Sequence, residues 1–368
     1  MKRIALLPVA LLIIFVLTDS QTKNWTFGPF VRPEGVNPII APDSQSYFHC
    51  PMRDSMLYWE SMATFNPAAV VKDNQVHVLY RAEDLTGEMK IGGHTSRLGM
   101  AVSDNGLDFK RLKEPVFYPE DDNQKQYEWP GGTEDPRIVE TGEGTYVMTY
   151  TQWNHKTPRL AVATSKDLEN WTKHGPAFED AYEGKFNSMH TKSGAIVTKR
   201  EGNHLIAQKL AGKYWMYWGV PKIYLATSEN LTDWEPIVNE DGSLKPVLQP
   251  REGYFDSWLV EAGPPAILTD QGILVMYNAG NSAVNGDPSV PDSTYTGGQA
   301  LYSVKNPAKL KARIDKPFIQ PEEEFEKSGQ YPSGTTFIEG LVPFKDKWFI
   351  YYGTADSNVG VVFWEPEK

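Results

Sequence analysis

One kind of segment returns five times along this chain, and its return restricts the fold more than any other feature. It reads Val76-His-Val-Leu-Tyr-Arg-Ala82, Tyr146-Val-Met-Thr-Tyr-Thr-Gln152 and Tyr214-Trp-Met-Tyr-Trp-Gly219, then Ile273-Leu-Val-Met-Tyr-Asn-Ala-Gly280 and Trp348-Phe-Ile-Tyr-Tyr-Gly-Thr-Ala355. Alternating aromatic and β-branched residues of this kind form half-buried strands, not helices. A second element follows most copies. Ala101-Val-Ser-Asp-Asn-Gly-Leu-Asp-Phe109, Ala163-Thr-Ser-Lys-Asp-Leu-Glu-Asn-Trp171 and Ala226-Thr-Ser-Glu-Asn-Leu-Thr-Asp-Trp234 each give a strand, a polar turn and an aromatic ring packed behind the turn. Leu301-Tyr-Ser-Val-Lys-Asn-Pro307 is a looser copy, and Val359-Gly-Val-Val-Phe363 ends the last one early. Five units at a spacing of roughly 60 to 75 residues predict an all-β chain, a five-bladed β-propeller occupying 21–368 as a single domain.

The first 20 residues stand apart from that pattern. Met1-Lys2-Arg3 is a short basic start, Ile4 to Leu17 is apolar, and Thr18-Asp19-Ser20 ends on a small residue. An apolar run of about 14 residues is short for a bilayer span, so 1–20 is read as a signal peptide and the protein as secreted or periplasmic. A single cysteine, Cys50, allows no intramolecular disulfide, which suits a bacterial periplasm or surface.

Charge and composition narrow the partner. A formal net charge of −11 without basic clusters argues against nucleic acid or an anionic membrane. Aromatic residues make up 12% of the chain, with 11 Trp and 18 Tyr, and sugar rings stack their C–H faces on such planes. An oligosaccharide or glycan is therefore the expected ligand. The seven His residues form no spaced cluster, so neither a metal nor a cofactor is expected.

In a propeller the innermost strands carry residues from every blade to one funnel. The polar residues near the repeated strands are accordingly the candidates: Asn66, Arg81, Arg97, Asp135, Arg137, Asp256, Glu261, Glu339 and Asp356. Gly131-Gly-Thr-Glu-Asp-Pro-Arg137 sets two acids and a base in a turn, where Pro136 is expected to hold Asp135 extended and so aim its carboxylate. A salt bridge of Asp135 with Arg137 that merely holds the turn is the competing reading. Phe255-Asp-Ser-Trp-Leu-Val-Glu-Ala-Gly-Pro-Pro265 places Asp256 and Glu261 before a second glycine-proline step. Two carboxyls around a sugar-sized pocket suit glycoside cleavage, one protonating the leaving oxygen and the other activating water or attacking the anomeric carbon.

At Gly131–Arg137 the chain resembles glycoside hydrolase family 130, the β-mannoside phosphorylases and β-1,2-mannosidases. Asn66-Pro67, Tyr80-Arg81-Ala82, Ser96-Arg97-Leu98-Gly99, Lys192-Ser-Gly-Ala-Ile196, Gly212-Lys-Tyr-Trp-Met216, Leu259-Val-Glu-Ala-Gly-Pro-Pro265, Gly298-Gln-Ala-Leu301 and Tyr351-Tyr-Gly-Thr-Ala-Asp356 follow the same family pattern in order. The resemblance implies a five-bladed propeller. It also implies Asp135 as the general acid of an inverting reaction, passing its proton through a substrate hydroxyl, with Asn66, Arg81, Arg97 and Asp256 around the mannosyl ring. In the family the strand after Gly-Lys-Tyr tends to end on a basic residue in phosphorylases and on glutamate in mannosidases, whereas here Val220 follows Trp218-Gly219. Glu261 is then the first candidate for the base and Glu339 the second. His155, Arg159 and Lys192 are the residues that would gather around a phosphate in a phosphorylase. Three readings follow: an exported β-mannosidase, favoured because a sugar phosphate is of little use outside the cell; a β-mannoside phosphorylase; and a non-catalytic glycan-binding propeller.

Overall fold

Each recurrent segment is the second strand of an antiparallel meander in the computed structural model, which describes residues 25–366. The segment read as a signal peptide lies outside the described residues. A small hairpin, β1 (Phe48–Cys50) and β2 (Ser55–Leu57), precedes the first meander. That meander comprises β3 (Ala63–Lys72), β4 (Gln75–Glu83), β5 (Ser96–Ser103) and β6 (Lys110–Arg111). The second comprises β7 (Gly132–Glu140), β8 (Tyr146–Trp153), β9 (Arg159–Ser165) and β10 (Trp171–Pro176).

In the third, β11 (Gly194–Glu201) turns back through β12 (His204–Ala207) and then pairs with β13 (Tyr214–Trp218), which leads to β14 (Tyr224–Ser228) and β15 (Glu235–Pro236). The fourth begins with β16 (Leu259–Ala262) and β17 (Ala266–Thr269), which share one partner, β18 (Gly272–Gly280), followed by β19 (Tyr295–Ser303) and β20 (Asn306–Arg313). The fifth is β21 (Phe337–Phe344), β22 (Lys347–Thr354) and β23 (Asn358–Trp364). Its outer edge receives the N-terminal segment, where Val31 bridges Phe363 and Ile40 bridges Val359. The segment around Val31 and Ile40 thus joins the sheet of the last repeat and completes its short outer edge.

Apolar faces dictate how the sheets meet. Val78, Tyr80 and Val76 pack with Val342, Phe349 and Tyr351, joining the first sheet to the fifth. Leu79 and Met100 pack with Met148 and Tyr150, joining first and second. Val147 and Val162 face Met216 and Trp218, Tyr217 and Leu225 face Val275 and Tyr277, and Leu274 and Met276 face Leu341 and Ile350. Every sheet therefore buries both faces, each against a neighbour, and burial of roughly 25 cal/mol per Å² of apolar surface is the main stabilising term.

The expected hairpin turns share one chemistry. In the second and third copies the Ser165 and Ser228 hydroxyls accept the Leu168 and Leu231 amides at 2.8 and 2.9 Å. Trp171 and Trp234 then donate their indole N–H back to the Leu168 and Leu231 carbonyls at 2.8 and 2.9 Å. In the first copy Ser103 accepts the Gly106 amide at 2.9 Å, and Phe109 packs edge-on against Tyr351. Among the described residues the only α-helix is a single turn, Lys125–Glu128.

Candidate active site

First strands of the sheets lead inward, and three of them bulge at a polar residue. Pairing slips between Phe65 and Pro67 in β3, between Glu134 and Arg137 in β7, and between Ile338 and Gly340 in β21. A bulge re-aims the residue it displaces, and the displaced residues here include Asn66, Asp135 and Glu339. Asn66 and Asp135 have left-handed backbones, φ 44° and 50°, as does Asp356 at 50° in the turn after β22. Asn and Asp tolerate that region better than other non-glycine residues. The expected extended backbone at Asp135 is thus corrected. The steric bias of Pro136 is overridden by the bulge, by Arg137 Nη1 donating to the Asp135 carbonyl at 3.0 Å, and by the bonds of the Asp135 carboxylate.

These bonds define the centre of the site. Asp135 Oδ1 accepts from Asn66 Nδ2 at 2.8 Å and Arg81 Nη1 at 3.1 Å, and Oδ2 lies 3.1 Å from Lys192 Nζ. The same ammonium is 3.1 Å from Glu261 Oε1, which also accepts a very short bond from the Ser193 hydroxyl. Burial alone would raise the Asp135 carboxyl, but Lys192, Arg81 and the Asn66 amide outweigh it and hold it well below the usual range. Burial likewise disfavours the Lys192 ammonium, and Glu261 and Asp135 more than reverse this, so it stays charged. One cation therefore separates two carboxylates.

Around this centre lies a cleft of ≈ 300 Å³. Asn66, Arg81, Asp135, Lys192, Glu261 and Asp356, all candidates from the sequence, line it together. Asp356 is pushed up to about 6, by burial first and by Asp135 and Glu83, against the opposing pull of Arg81 and Lys192. Phe65, Trp153, Tyr295, Tyr331 and Phe337 supply aromatic surface, with Tyr331 edge-on to Tyr295 at 5.4 Å. Glu83 and Glu134 also line it and were not among the candidates. Glu134 stood within the quoted Gly131–Arg137 motif, and Glu83 lies two residues beyond Arg81 on the same strand. Neither position marks a side chain as facing the cleft.

Six other candidates fall outside the lining. Arg137 is buried behind Asp135, donating to the Gly263 and Ala262 carbonyls at 2.9 Å each and lying 2.8 Å from Glu339. Glu339 is wholly buried, which pushes its carboxyl well up despite Arg137. Although the Arg137 contact is short, neither Glu339 oxygen receives a well-directed hydrogen bond. Arg97 is committed to Asp84 at 2.7 Å. Asp256 is enclosed by Arg251 at 3.0 Å, Arg313 at 2.6 Å and the Tyr277 hydroxyl at 2.9 Å, so both are placed as structural ion pairs, not against the cleft. Arg159 donates to the Asn187 and Thr157 carbonyls at 2.7 and 3.1 Å, while the His155 ring rests 5.8 Å from that of Trp153. Only Lys192 of the three phosphate candidates reaches the cleft, and Arg137 pairs with Glu339, not with the Asp135 carboxylate.

Paired carboxylates and exposed aromatic faces are the equipment of carbohydrate-active sites. A family model described as beta-1,4-mannooligosaccharide phosphorylase, that of glycoside hydrolase family 130, matches residues 46–368. The chain belongs to glycoside hydrolase family 130. It is 32% identical over 311 residues to a 1,2-beta-oligomannan phosphorylase of Thermoanaerobacter, covering 83% of this chain and 91% of that one. A crystal structure of a putative glycoside hydrolase from Parabacteroides distasonis is 54% identical with a TM-score of 0.92, over 93% of this chain and 98% of the other. A second structure, from work on family members that are glycoside hydrolases targeting β-1,2 mannosidic linkages in Candida mannan, is also 54% identical. Its TM-score is 0.92, and coverage is 94% and 96%.

Proposed function

We propose that the protein is an exported, inverting mannosidase that hydrolyses β-1,2-linked mannosides, built as a five-bladed β-propeller. Five antiparallel sheets, packed each on the next and the last on the first, support the propeller. The observation that carries hydrolysis is the charge of the cleft. Glu83, Glu134, Asp135, Glu261 and Asp356 line it against Arg81, Lys192 and His190, whose imidazole is pushed towards the neutral form by burial and by Lys192. Both charged cations, Arg81 and Lys192, already contact carboxylates. A phosphate nucleophile would enter a field of its own sign, whereas attack by water needs a carboxylate to take its proton.

On this reading Asp135 is the acid and Glu261 the base. Both contact the Lys192 ammonium at 3.1 Å, and relay of the proton through a sugar hydroxyl is what leaves room for a water on the opposite face. On this reading Asp135 takes up a proton in the sugar complex and passes it, through a sugar hydroxyl, to the leaving oxygen. Glu261 takes the proton of a water that attacks the anomeric carbon from the opposite face. Val220 fits this assignment. Its neighbours Gly219 and Pro221 bond the Lys192 carbonyl and the Val260 amide, so this turn braces both residues while Glu261 supplies the carboxylate.

The test is release of sugar from β-1,2-mannobiose with and without inorganic phosphate. Free mannose at equal rates is expected. A sugar phosphate formed only when phosphate is present would establish the phosphorylase named for the 32% identical relative, and binding without turnover would establish a glycan-binding protein.

A further inference from the structure

Three of the five cleft carboxyls, Glu83, Glu134 and Asp356, have no part in the acid–base pair, and the first two form a close set of their own. Glu83 ends β4 and Glu134 sits in β7, yet their Oε1 atoms converge on the same donors. Arg81 Nη2 lies 2.7 Å from the first and 2.9 Å from the second. The Ser96 hydroxyl lies 2.9 and 3.3 Å from them. Ser96 has one proton to give and already accepts from Arg81 Nε at 2.9 Å, so it satisfies one carboxyl at a time. Gln330 Nε2 adds a bond of 3.3 Å to the far oxygen of Glu83.

The guanidinium that serves this pair is also bonded to Asp135, which Asn66 and Lys192 keep ionised. Asp356, from the turn after β22, adds another carboxyl beside them. Arg81 from β4 and Lys192 from the segment before β11 are the cations in this set, with Asp135 on β7 as the opposing charge. Two carboxylates aimed at one nitrogen repel, and the cheapest relief is one proton between them.

We propose that Glu83 and Glu134 share one proton at neutral pH and together bind one hydroxyl of the sugar, the protonated member donating and the ionised member accepting. The ligand class rests on the mannosidase reading; the shared proton does not. A hydroxyl both donates and accepts, so a half-protonated pair answers it fully, while two carboxylates can only accept. Burial, together with Asp135 and Glu83 and against the pull of Arg81, pushes Glu134 up to about 7, which agrees with a proton kept in this pair. Loss of that proton weakens binding and leaves the Asp135–Glu261 chemistry in place.

Infrared difference spectroscopy of the ligand-free protein reads the pair directly, through the C=O band of a protonated carboxyl. Asp356, pushed up to about 6, contributes a band of its own, so the titration is read in an Asp356→Asn background, where one such band is expected to be lost through neutrality. Adding Glu134→Gln or Glu83→Gln to that background should abolish this titration. A near-neutral band that survives either glutamine variant there overturns the shared proton, and the second variant decides if the first does not fold. KM for β-1,2-mannobiose, or Kd by calorimetry if turnover is absent, should rise about tenfold per pH unit above neutrality in the wild type and stay flat in Glu134→Gln. A wild-type value that does not rise overturns the binding role. Absence of both binding and turnover overturns the sugar ligand along with the mannosidase reading, while the infrared titration still decides the shared proton.

Discussion

Asp135 receives an amide, a guanidinium and an ammonium on two oxygens, so its charge organises everything around it. Asp135→Asn keeps the shape and, on the proposed mechanism, removes the proton carrier. Its kcat is expected to fall by about 10²–10⁴-fold while binding of mannobiose persists, as steady-state kinetics and calorimetry would show. Loss of affinity equal to the loss of rate would mark Asp135 as a binding residue only. At this scale the sequence was informative where chemistry is local. The Gly131–Arg137 and Leu259–Pro265 stretches put forward Asp135 and Glu261, both of which line the cleft, through residue type and turn-forming neighbours. It was blind to which side chains meet across sheets. Asp256 looked equivalent to Glu261 in sequence, but Arg251, Arg313 and Tyr277 enclose it. Glu83 and Glu134 went unnoticed because only the pairing of β4 with β5 and of β5 with β7 brings both to Ser96.

Among elements, β7 does the most to place the chemistry, and it depends on Gly132. That residue has φ +110°, and a Cβ there would stand 2.1 Å from the Ser96 carbonyl oxygen, at the point where β5 and β7 touch. Backbone cannot yield as a flexible side chain can. Gly132→Ala is therefore expected to cost about 1–3 kcal/mol or more in urea unfolding, and to lower kcat in the folded fraction by displacing Glu134 and Asp135. Unchanged stability would mean that the strand can shift without penalty. The repeated strands and their serine turns were legible because each is written in a dozen contiguous residues. The bulges were not, since a bulge is a mismatch between two strands and neither sequence alone contains it. Asp135 shows the consequence: Pro136 argued for an extended backbone, and the bulge imposed a left-handed one.

For the whole molecule, the buried acids predict how stability follows pH. Glu134 is raised from 4.5 to about 7 and Asp356 from 3.8 to about 6. A carboxyl whose pKa is raised by folding binds its proton more tightly in the folded state, so its contribution is full below its unfolded value and is lost as pH rises through the folded one. Unfolding free energy is thus expected to decline from about pH 4 to 7 on their account, the upper part of it through Glu134, and Glu134→Gln should flatten that upper part in urea titrations at successive pH values. An identical slope in the variant would place the ionisation elsewhere. The five antiparallel meanders were legible from the five recurrent segments. The joining of Val31 and Ile40 to the last sheet was not, because that segment resembles none of the repeats.

The central claim, hydrolysis with inversion, is tested most directly by following the anomeric protons in real time by NMR while the protein acts on β-1,2-mannobiose in phosphate buffer. The account predicts an early excess of α-mannose over the α/β mixture that the reducing-end sugar contributes, relaxing by mutarotation, with no phosphorylated sugar. Accumulation of mannose 1-phosphate, or an early excess of β-mannose over that mixture, would contradict it.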